Sequence, residues 1–113
     1  MKILIADDDD ILRMAVRAAV AMENDEVFEC TNGQDAVAMY EKHKPDWVLM
    51  DIMMEPMDGL TATAKIKEQY PDARVIILTS YNQKEFEQAS QKLGAVKLVG
   101  KDNFSELRTL MKF

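Results

Sequence analysis

Charged residues follow three apolar runs of this chain, at points where buried strands would end. Asp7 and Asp8 come after the first run, Asp51 after another and Lys101 after a third. In an open parallel α/β sheet the carboxyl ends of neighbouring strands share one edge, and ligands bind in the crevice there. Several carboxylates in one pocket repel each other unless a cation joins them. The sequence therefore predicts a cation site at this edge, most simply for Mg²⁺.

Asp51 is the candidate nucleophile, because a carboxylate can take a phosphoryl group as an acyl phosphate when the donor is activated and a metal screens the negative charges. A histidine phosphate would suit as the donor. Mg²⁺ usually takes one or two carboxylates plus phosphate and water oxygens, and Asp8 and Asp51 would supply those carboxylates. Lys101 would offset the charge of the transferring group, and the Thr79 hydroxyl would donate a hydrogen bond to it.

The composition excludes several other classes of protein. At 113 residues the chain has room for one ordinary domain, and 48% hydrophobic residues are enough for a buried core. With a net charge of −6 the chain has no excess of Lys and Arg to neutralise phosphates, so direct nucleic-acid binding is not expected. The N-terminal apolar run is too short for a signal peptide or a membrane span. The lone Cys30 is consistent with a reducing compartment, and we expect a cytoplasmic protein.

Apolar tetrads alternate with helical patterns along the whole chain, which is typical of βα units on a parallel sheet. The predicted strands are residues 3–6, 27–30, 47–50, 75–78 and 96–99. The predicted inner faces of the helices that follow them are Ile11, Leu12, Ala15, Val16, Ala19 and Val20; Ala36, Val37 and Tyr40; Leu60, Ala64 and Ile66; Phe86, Ala89 and Leu93; and Phe104, Leu107, Leu110 and Met111.

Turn and cap residues separate these elements. Asp9 or Asp10 can cap the first helix. Gly33 is predicted to lie in the turn before the second helix, and Asn82 with Glu85 forms a capping pair for the fourth. Gly94 is the natural stop of that fourth helix.

Taken together, these residues resemble the receiver domain of two-component response regulators, of the single-domain type found in chemotaxis regulators. The resemblance covers essentially the whole chain, so residues 1–113 are interpreted as one receiver domain. The motifs that carry it are Ile3-Leu4-Ile5-Ala6-Asp7-Asp8 with Arg13, Pro45-Asp46-Trp47-Val48-Leu49-Met50-Asp51, Met57-Asp58-Gly59, Leu78-Thr79-Ser80, and Gly94-Ala95 leading to Lys101.

The resemblance implies a flavodoxin-like, doubly wound sheet of five parallel strands in the order 2-1-3-4-5, with five helices. It implies that Asp51 accepts a phosphoryl group from the phosphohistidine of a sensor kinase or phosphotransfer protein, with Thr79 and Lys101 engaging that group. Asp8 would bind Mg²⁺ directly, Asp7 would hold the metal's waters, and the Met53 backbone carbonyl would be a further ligand. The chain would be a phosphoacceptor with at most slow self-dephosphorylation, not an enzyme.

A downstream output protein or domain is the second partner that the resemblance implies. The surface formed by the fourth helix, the fifth strand and the last helix, including Lys97 and Leu98, is the predicted contact face for it. Neither a membrane nor nucleic acid is expected as a direct partner.

Three positions depart from the family pattern. Pro56 stands one place later than the proline that usually follows the acceptor, so the loop after Asp51 is expected to differ in shape. Leu98 replaces an aromatic residue whose rotamer usually reports phosphorylation. Asp102 replaces the proline that commonly follows the lysine, so the cis peptide bond often found there is not expected.

Two alternatives stay open at this point. One is a receiver-like interaction domain that works without phosphorylation, although the five signature positions are all filled. The other is a phosphatase of the haloacid-dehalogenase type, because Asp8-Asp9-Asp10-Ile11 fits that family's Asp-x-Asp pattern after a first strand. The short chain argues against this second alternative.

Overall fold

The computed structural model describes residues 1–80, 83–101 and 103–111, apart from the Gln83 side chain. Strands and helices alternate as follows: β1 Lys2–Ala6, α1 Asp10–Val20, β2 Glu26–Cys30, α2 Gly33–His43, β3 Trp47–Asp51, α3 Gly59–Gln69, β4 Val75–Thr79, α4 Gln83–Lys92, β5 Lys97–Gly100, a 3-10 turn Phe104–Glu106 and α5 Leu107–Leu110. Asn82, which is predicted to cap α4, and Asp102, which follows Lys101, both lie outside the described residues. None of the described helices has the length and apolar character needed to cross a bilayer.

The five strands form one parallel sheet in the order β2-β1-β3-β4-β5, which confirms the predicted flavodoxin-like topology. Each central strand is buried on both faces, as expected for a parallel sheet covered by helices. Alternate residues of β3 therefore point to two cores. Trp47 and Leu49 pack with α1 and α5, whereas Val48 and Met50 pack with α2 and α3.

Side-chain caps fix where the first three helices begin. The Asp9 carboxylate accepts from the backbone N–H groups of Ile11 and Leu12, so Asp9 is the cap of α1. Asn32 caps α2, which makes Gly33 the first helical residue and corrects its predicted place in the turn. Asp58 caps α3.

Several predicted helix faces were wrong in detail. In α1 the fully buried residues are Val16 and Val20, whereas Ile11, Ala15 and Ala19 are exposed. Apolar residues of α1 lie on more than one side of the helix and only one stripe of them is buried, so periodicity overestimates its inner face. In α4, Ala89 is exposed and the neighbouring Ser90 is buried, with its hydroxyl donating to the Glu87 carbonyl at 2.9 Å.

In α3, Ala62 and Thr63 are buried, while Leu60 and Ala64 are only half-buried. The buried Thr63 hydroxyl donates to the Gly59 carbonyl one helical turn earlier. The hydroxyl therefore needs no other partner, which is why the core accepts this polar residue, one that the predicted inner face did not include.

Candidate functional site

The parallel register brings the predicted site residues to one edge of the sheet. Ala6 lies opposite Met50 in the β1–β3 pair, so Asp7 and Asp51 are the next residues on neighbouring strands. Asp51 lies opposite Leu78 in the β3–β4 pair, and Thr79 follows at the end of β4. Because parallel strands end at the same edge, residues far apart in sequence share one crevice.

Lys101 links two of these carboxylates. Its Nζ lies 2.9 Å from Asp51 Oδ1 and 3.1 Å from Asp7 Oδ2. Its backbone N–H donates to the Thr79 carbonyl at 2.8 Å, which extends the β4–β5 pairing by one residue beyond Gly100. Asp7 and Asp51 are both buried, so the ammonium group supplies charge compensation that water does not.

Burial raises the pKa of Asp51 to about 6, with the negative charges of Asp7 and Asp8 adding to the effect and Lys101 opposing it. Burial alone would lower the pKa of Lys101, but its hydrogen bond to Asp51 and the charges of Asp51 and Asp7 outweigh burial, and that pKa is raised. The ammonium group is thus held in its charged form beside carboxylates that crowd one another.

The donor set fits a hard divalent cation. Ligand atoms of Asp7, Asp8 and Asp51 all lie within 4.8 Å of one another, and Asp8 is exposed at the mouth of the crevice. Among the described residues, Asp7 Oδ2 is the buried side-chain oxygen that accepts no hydrogen bond, although it lies near Lys101. Carboxylate oxygens with spare acceptor capacity are the ligands that Mg²⁺ prefers, so these residues could hold that ion.

Thr79 and Met53 complete the predicted set. Thr79 is buried at the end of β4, next to the acceptor strand. The Met53 side chain is half exposed and lines an open cleft of about 810 Å³ that also includes Asp8 and Phe86. The structure therefore brings the predicted residues to one edge of the sheet, with Met53 on the rim. Tyr81, which follows Thr79 by two positions, lies outside the described residues.

Close backbone contacts hold the loop after Asp51. The N–H of Gly59 donates to the Ile52 carbonyl, and the N–H of Gly33 donates to the Met57 carbonyl, both at 2.8 Å. A Cβ on Gly59 would lie 1.9 Å from the Asp51 carbonyl oxygen, and a Cβ on Gly33 would lie 2.4 Å from that of Met57. Neither position accommodates a side chain. The peptide bond before Pro56 is cis.

The sequence motif included Arg13 but gave no role to it or to Glu29, and these two residues brace the loop between β1 and α1. Arg13 donates to the Asp7 carbonyl at 2.8 Å, and its other nitrogens contact Asp10 and Glu29. The spacing of Asp10 and Arg13 on a helix could have indicated their pairing. The partnership with Glu29, which lies on β2, carries no local sequence signal.

Comparison with known proteins gives consistent matches. The family model described as the response regulator receiver domain matches residues 3–112. The uncharacterized transcriptional regulatory protein YhcZ of Bacillus subtilis is 44% identical over 87 residues, which cover 75% of this chain and 41% of that protein. The chemotaxis protein CheY of Halobacterium salinarum is 38% identical over 94 residues, covering 83% of this chain and 78% of that protein.

Among solved structures, a chain of the CheX–CheY–BeF3–Mg complex of Borrelia burgdorferi is similar in fold. It has a TM-score of 0.88 at 24% identity and covers 97% of this chain and 85% of its own. The chain spans less than half the length of several curated relatives that it matches, among them YhcZ at 41%.

Proposed function

This chain belongs to the family of response regulator receiver domains, which act in phosphorylation-based two-component signalling, and on that premise we propose that Asp51 is its phosphoryl acceptor. The whole of residues 1–113 is assigned to this one domain. The observation that supports the acceptor role best is the contact of Lys101 with the buried Asp51 carboxylate at 2.9 Å. A buried carboxylate beside a fixed cation is suited to a reaction that gathers negative charge.

In the proposed reaction an Asp51 carboxylate oxygen attacks the phosphorus atom of a phosphohistidine. The new O–P bond forms as the P–N bond breaks, and the electron pair leaves with the histidine nitrogen. Lys101 pairs with the negative charge of the transferred group, and the Thr79 hydroxyl donates a hydrogen bond to one of its oxygens. The products are an acyl phosphate on this chain and a free histidine on the donor.

Asp7, Asp8 and Asp51, together with the Met53 backbone carbonyl, are the residues that we assign to Mg²⁺. When bound, the ion screens the repulsion between the acceptor carboxylate and the incoming phosphoryl oxygens. The spare acceptor capacity of Asp7 Oδ2 and the spacing of the three carboxylates support this assignment. Receiver domains are signalling domains, and beyond slow self-dephosphorylation we assign no enzymatic turnover to this one.

The donor is a sensor histidine kinase or a histidine phosphotransfer protein, which must approach the carboxyl edge of the sheet to reach Asp51. Ile11 and Met14 lie on the first turns of α1, the helix that follows the carboxyl end of β1, and are 78% and 68% exposed. Large apolar side chains exposed side by side mark protein contact surfaces, so we assign this patch to the donor protein.

The output partner is a downstream protein or domain that contacts the surface of α4, β5 and α5. Lys97 is exposed there, Leu98 is half-buried and the preceding Val96 is 49% exposed. We place the protein in the cytoplasm, where the kinase domains that would phosphorylate it have access to it.

Intact-mass measurement after treatment with acetyl phosphate and Mg²⁺ tests the acceptor. We expect the mass to increase by one phosphoryl group, and we expect no increase in EDTA or in Asp51→Asn. Asp58→Asn is the matched control, because asparagine also caps a helix and Asp58 is not part of the carboxylate cluster. A phosphorylated Asp51→Asn protein would overturn the assignment, and an unmodified wild type would favour an interaction domain that works without phosphorylation.

A further inference from the structure

Three of the four consecutive aspartates after β1 have intramolecular roles. Asp7 Oδ1 accepts from the Asp9 N–H at 2.9 Å, Asp9 caps α1, and Asp10 pairs with Arg13 at 2.7 Å. Asp8 is exposed, as Asp9 and Asp10 are, but its carboxylate lies within 4.8 Å of those of Asp7 and Asp51. Its direction therefore depends on how the backbone on either side of it is held.

Both peptide groups next to Asp7 are fixed by residues outside the loop. The Asp7 N–H donates to the Cys30 carbonyl at 3.0 Å. The Asp7 carbonyl, which belongs to the peptide group joining Asp7 to Asp8, accepts from Arg13 Nη1 at 2.8 Å. The Arg13 bond thus sets the plane from which the Asp8 side chain projects.

Glu29 in turn holds the Arg13 side chain in place. Its Nε donates to Glu29 Oε1 at 2.9 Å, and Arg17 contacts the other carboxylate oxygen of Glu29. The Arg13 side chain is only 16% exposed, so water competes weakly for its donors. A planar guanidinium can donate to the Asp7 carbonyl, Asp10 and Glu29 at once, whereas a lysine ammonium on a flexible stem cannot reproduce that geometry.

We propose that Arg13, held by Glu29, is a positioning residue that orients Asp8 toward the divalent cation. This inference rests on the proposed function of the site, and it concerns residues that do not themselves touch the cation. Removal of a group that contacts a metal ligand but not the metal itself typically changes metal affinity by ten- to a hundredfold.

The positive charge of Arg13 and its hydrogen bond to the Asp7 carbonyl should have opposite effects on Mg²⁺ affinity. A cation beside a cation site repels Mg²⁺, so loss of the charge alone would strengthen Mg²⁺ binding. Loss of the hydrogen bond to the Asp7 carbonyl would weaken it. Arg13→Lys keeps the charge and loses the three-way geometry, whereas Arg13→Met loses both, and the pair separates the two effects.

Isothermal titration of the unphosphorylated protein with MgCl₂ gives the dissociation constant directly. We expect it to rise about tenfold in Arg13→Lys and by less in Arg13→Met, which also loses the charge that repels Mg²⁺. Glu29→Gln should show a smaller rise, because Arg13 keeps its bond to Asp7. Arg17→Met is the matched control, since Arg17 also contacts Glu29 but not the loop, and it should bind Mg²⁺ as the wild type does.

Phosphorylation by acetyl phosphate supplies a second readout. The Mg²⁺ concentration that gives half-maximal rate should rise in the Arg13 variants, while the rate at saturating Mg²⁺ should be largely kept. Melting curves in EDTA identify any variant that fails to fold. If the Arg13 variants do not fold, the Mg²⁺ affinity of Glu29→Gln decides the test.

Two results would overturn the proposal: wild-type affinity in a folded Arg13→Lys protein, or unchanged affinity in Glu29→Gln when the Arg13 variants do not fold. A wild-type protein that binds no Mg²⁺ would instead refute the proposed function of the site.

Discussion

Lys101 Nζ lies 2.9 Å from Asp51 Oδ1 across the space between the ends of β5 and β3. The strand β4, which ends in Thr79, lies between β3 and β5 in the sheet. The Lys101 side chain therefore reaches past the end of β4 to contact Asp51. The ammonium group also approaches Asp7 at 3.1 Å. One cation therefore offsets two buried carboxylates in the protein without Mg²⁺, and the stability of the site depends on it.

Lys101→Met should destabilise the protein in EDTA by roughly 3 kcal/mol, because it leaves two buried carboxylates without their cation. Mg²⁺ should recover part of the lost stability, since it takes over the same neutralising role. Thermal unfolding with and without Mg²⁺ measures both effects. Lys97→Met, which removes an exposed lysine from β5, the strand that Lys101 follows, should change neither curve. Equal melting temperatures for the Lys101 and Lys97 variants in EDTA would contradict this account.

Asp8→Asn should have opposite effects on metal affinity and on stability. It removes an anionic ligand and should weaken Mg²⁺ binding by at least about tenfold. It also removes a negative charge that contributes to the raised pKa of Asp51, so the melting temperature without metal should rise. Calorimetric titration and melting curves in EDTA test the two parts. Asp9→Asn keeps a capping side chain and should leave Mg²⁺ affinity nearly unchanged. A lower melting temperature of Asp8→Asn in EDTA would be evidence against carboxylate crowding.

The sheet edge could be predicted from sequence because buried tetrads are strong signals for parallel strands. Once the ends of β1, β3 and β4 are known, the topology alone brings Asp7, Asp51 and Thr79 together. The contacts that orient these groups could not be predicted in the same way. Glu29 meets Arg13 only because β2 pairs with β1, and their partnership depends on side-chain geometry that no local pattern encodes.

Helix faces were less predictable than strands for a related reason. The α1 sequence is apolar on more than one side, and periodicity cannot say which stripe the sheet covers. The structure buries Val16 and Val20 and leaves Ile11 and Met14 exposed. Ile11, which the sequence pattern placed in the core, is in the folded chain an exposed apolar residue one helical turn from the exposed Met14.

Gly59→Ala and Gly33→Ala should both destabilise the fold, by about 1–3 kcal/mol, because each added methyl group meets a backbone carbonyl oxygen. Gly59→Ala should be the worse of the two, since its Cβ would lie 1.9 Å from the Asp51 carbonyl oxygen. It should also slow phosphorylation, because relief of that overlap moves the acceptor residue. Urea unfolding and acetyl phosphate labelling provide the measurements. Gln34→Ala, at an exposed position beside Gly33, serves as the control, and a Gly59→Ala protein as stable as this control would disprove the steric argument.

Acid should weaken the ion pairs that join Asp25 to the N-terminal ammonium group and to Arg108. The N-terminal ammonium, opposed by burial and helped by the Met22 N–H and Arg108, lowers the pKa of Asp25 from 3.8 to about 2. A carboxyl group whose pKa is lower in the folded state stabilises the fold above its unfolded pKa, and this contribution is lost as the pH falls through the folded pKa. The stability advantage of wild type over Asp25→Asn should therefore be constant from about pH 5 to neutral pH and shrink toward pH 2. Melting curves across this range test the prediction, and a constant difference down to pH 2 would contradict it.

The lifetime of the phosphorylated state should depend on Met53, whose half-exposed side chain lies two positions after the acceptor and lines the cleft. A thioether neither orients nor activates water, and its bulk tends to exclude water from the acyl phosphate. Self-dephosphorylation of the wild type should therefore be slow. Met53→Asn should speed it on the order of tenfold, since an amide can orient the attacking water without taking its proton.

Loss of the phosphoryl group at saturating Mg²⁺, followed by intact mass, measures this rate. Met22→Asn is the matched control, because Met22 is 59% exposed but follows the last turn of α1, away from the acceptor. An unchanged rate in Met53→Asn would mean that the backbone of the loop from Ile52 to Gly59, held by the Gly59 and Gly33 contacts, sets water access by itself. A faster rate in both variants would point to a general loss of stability. Acceleration confined to Met53→Asn is the result expected if the side chain excludes water.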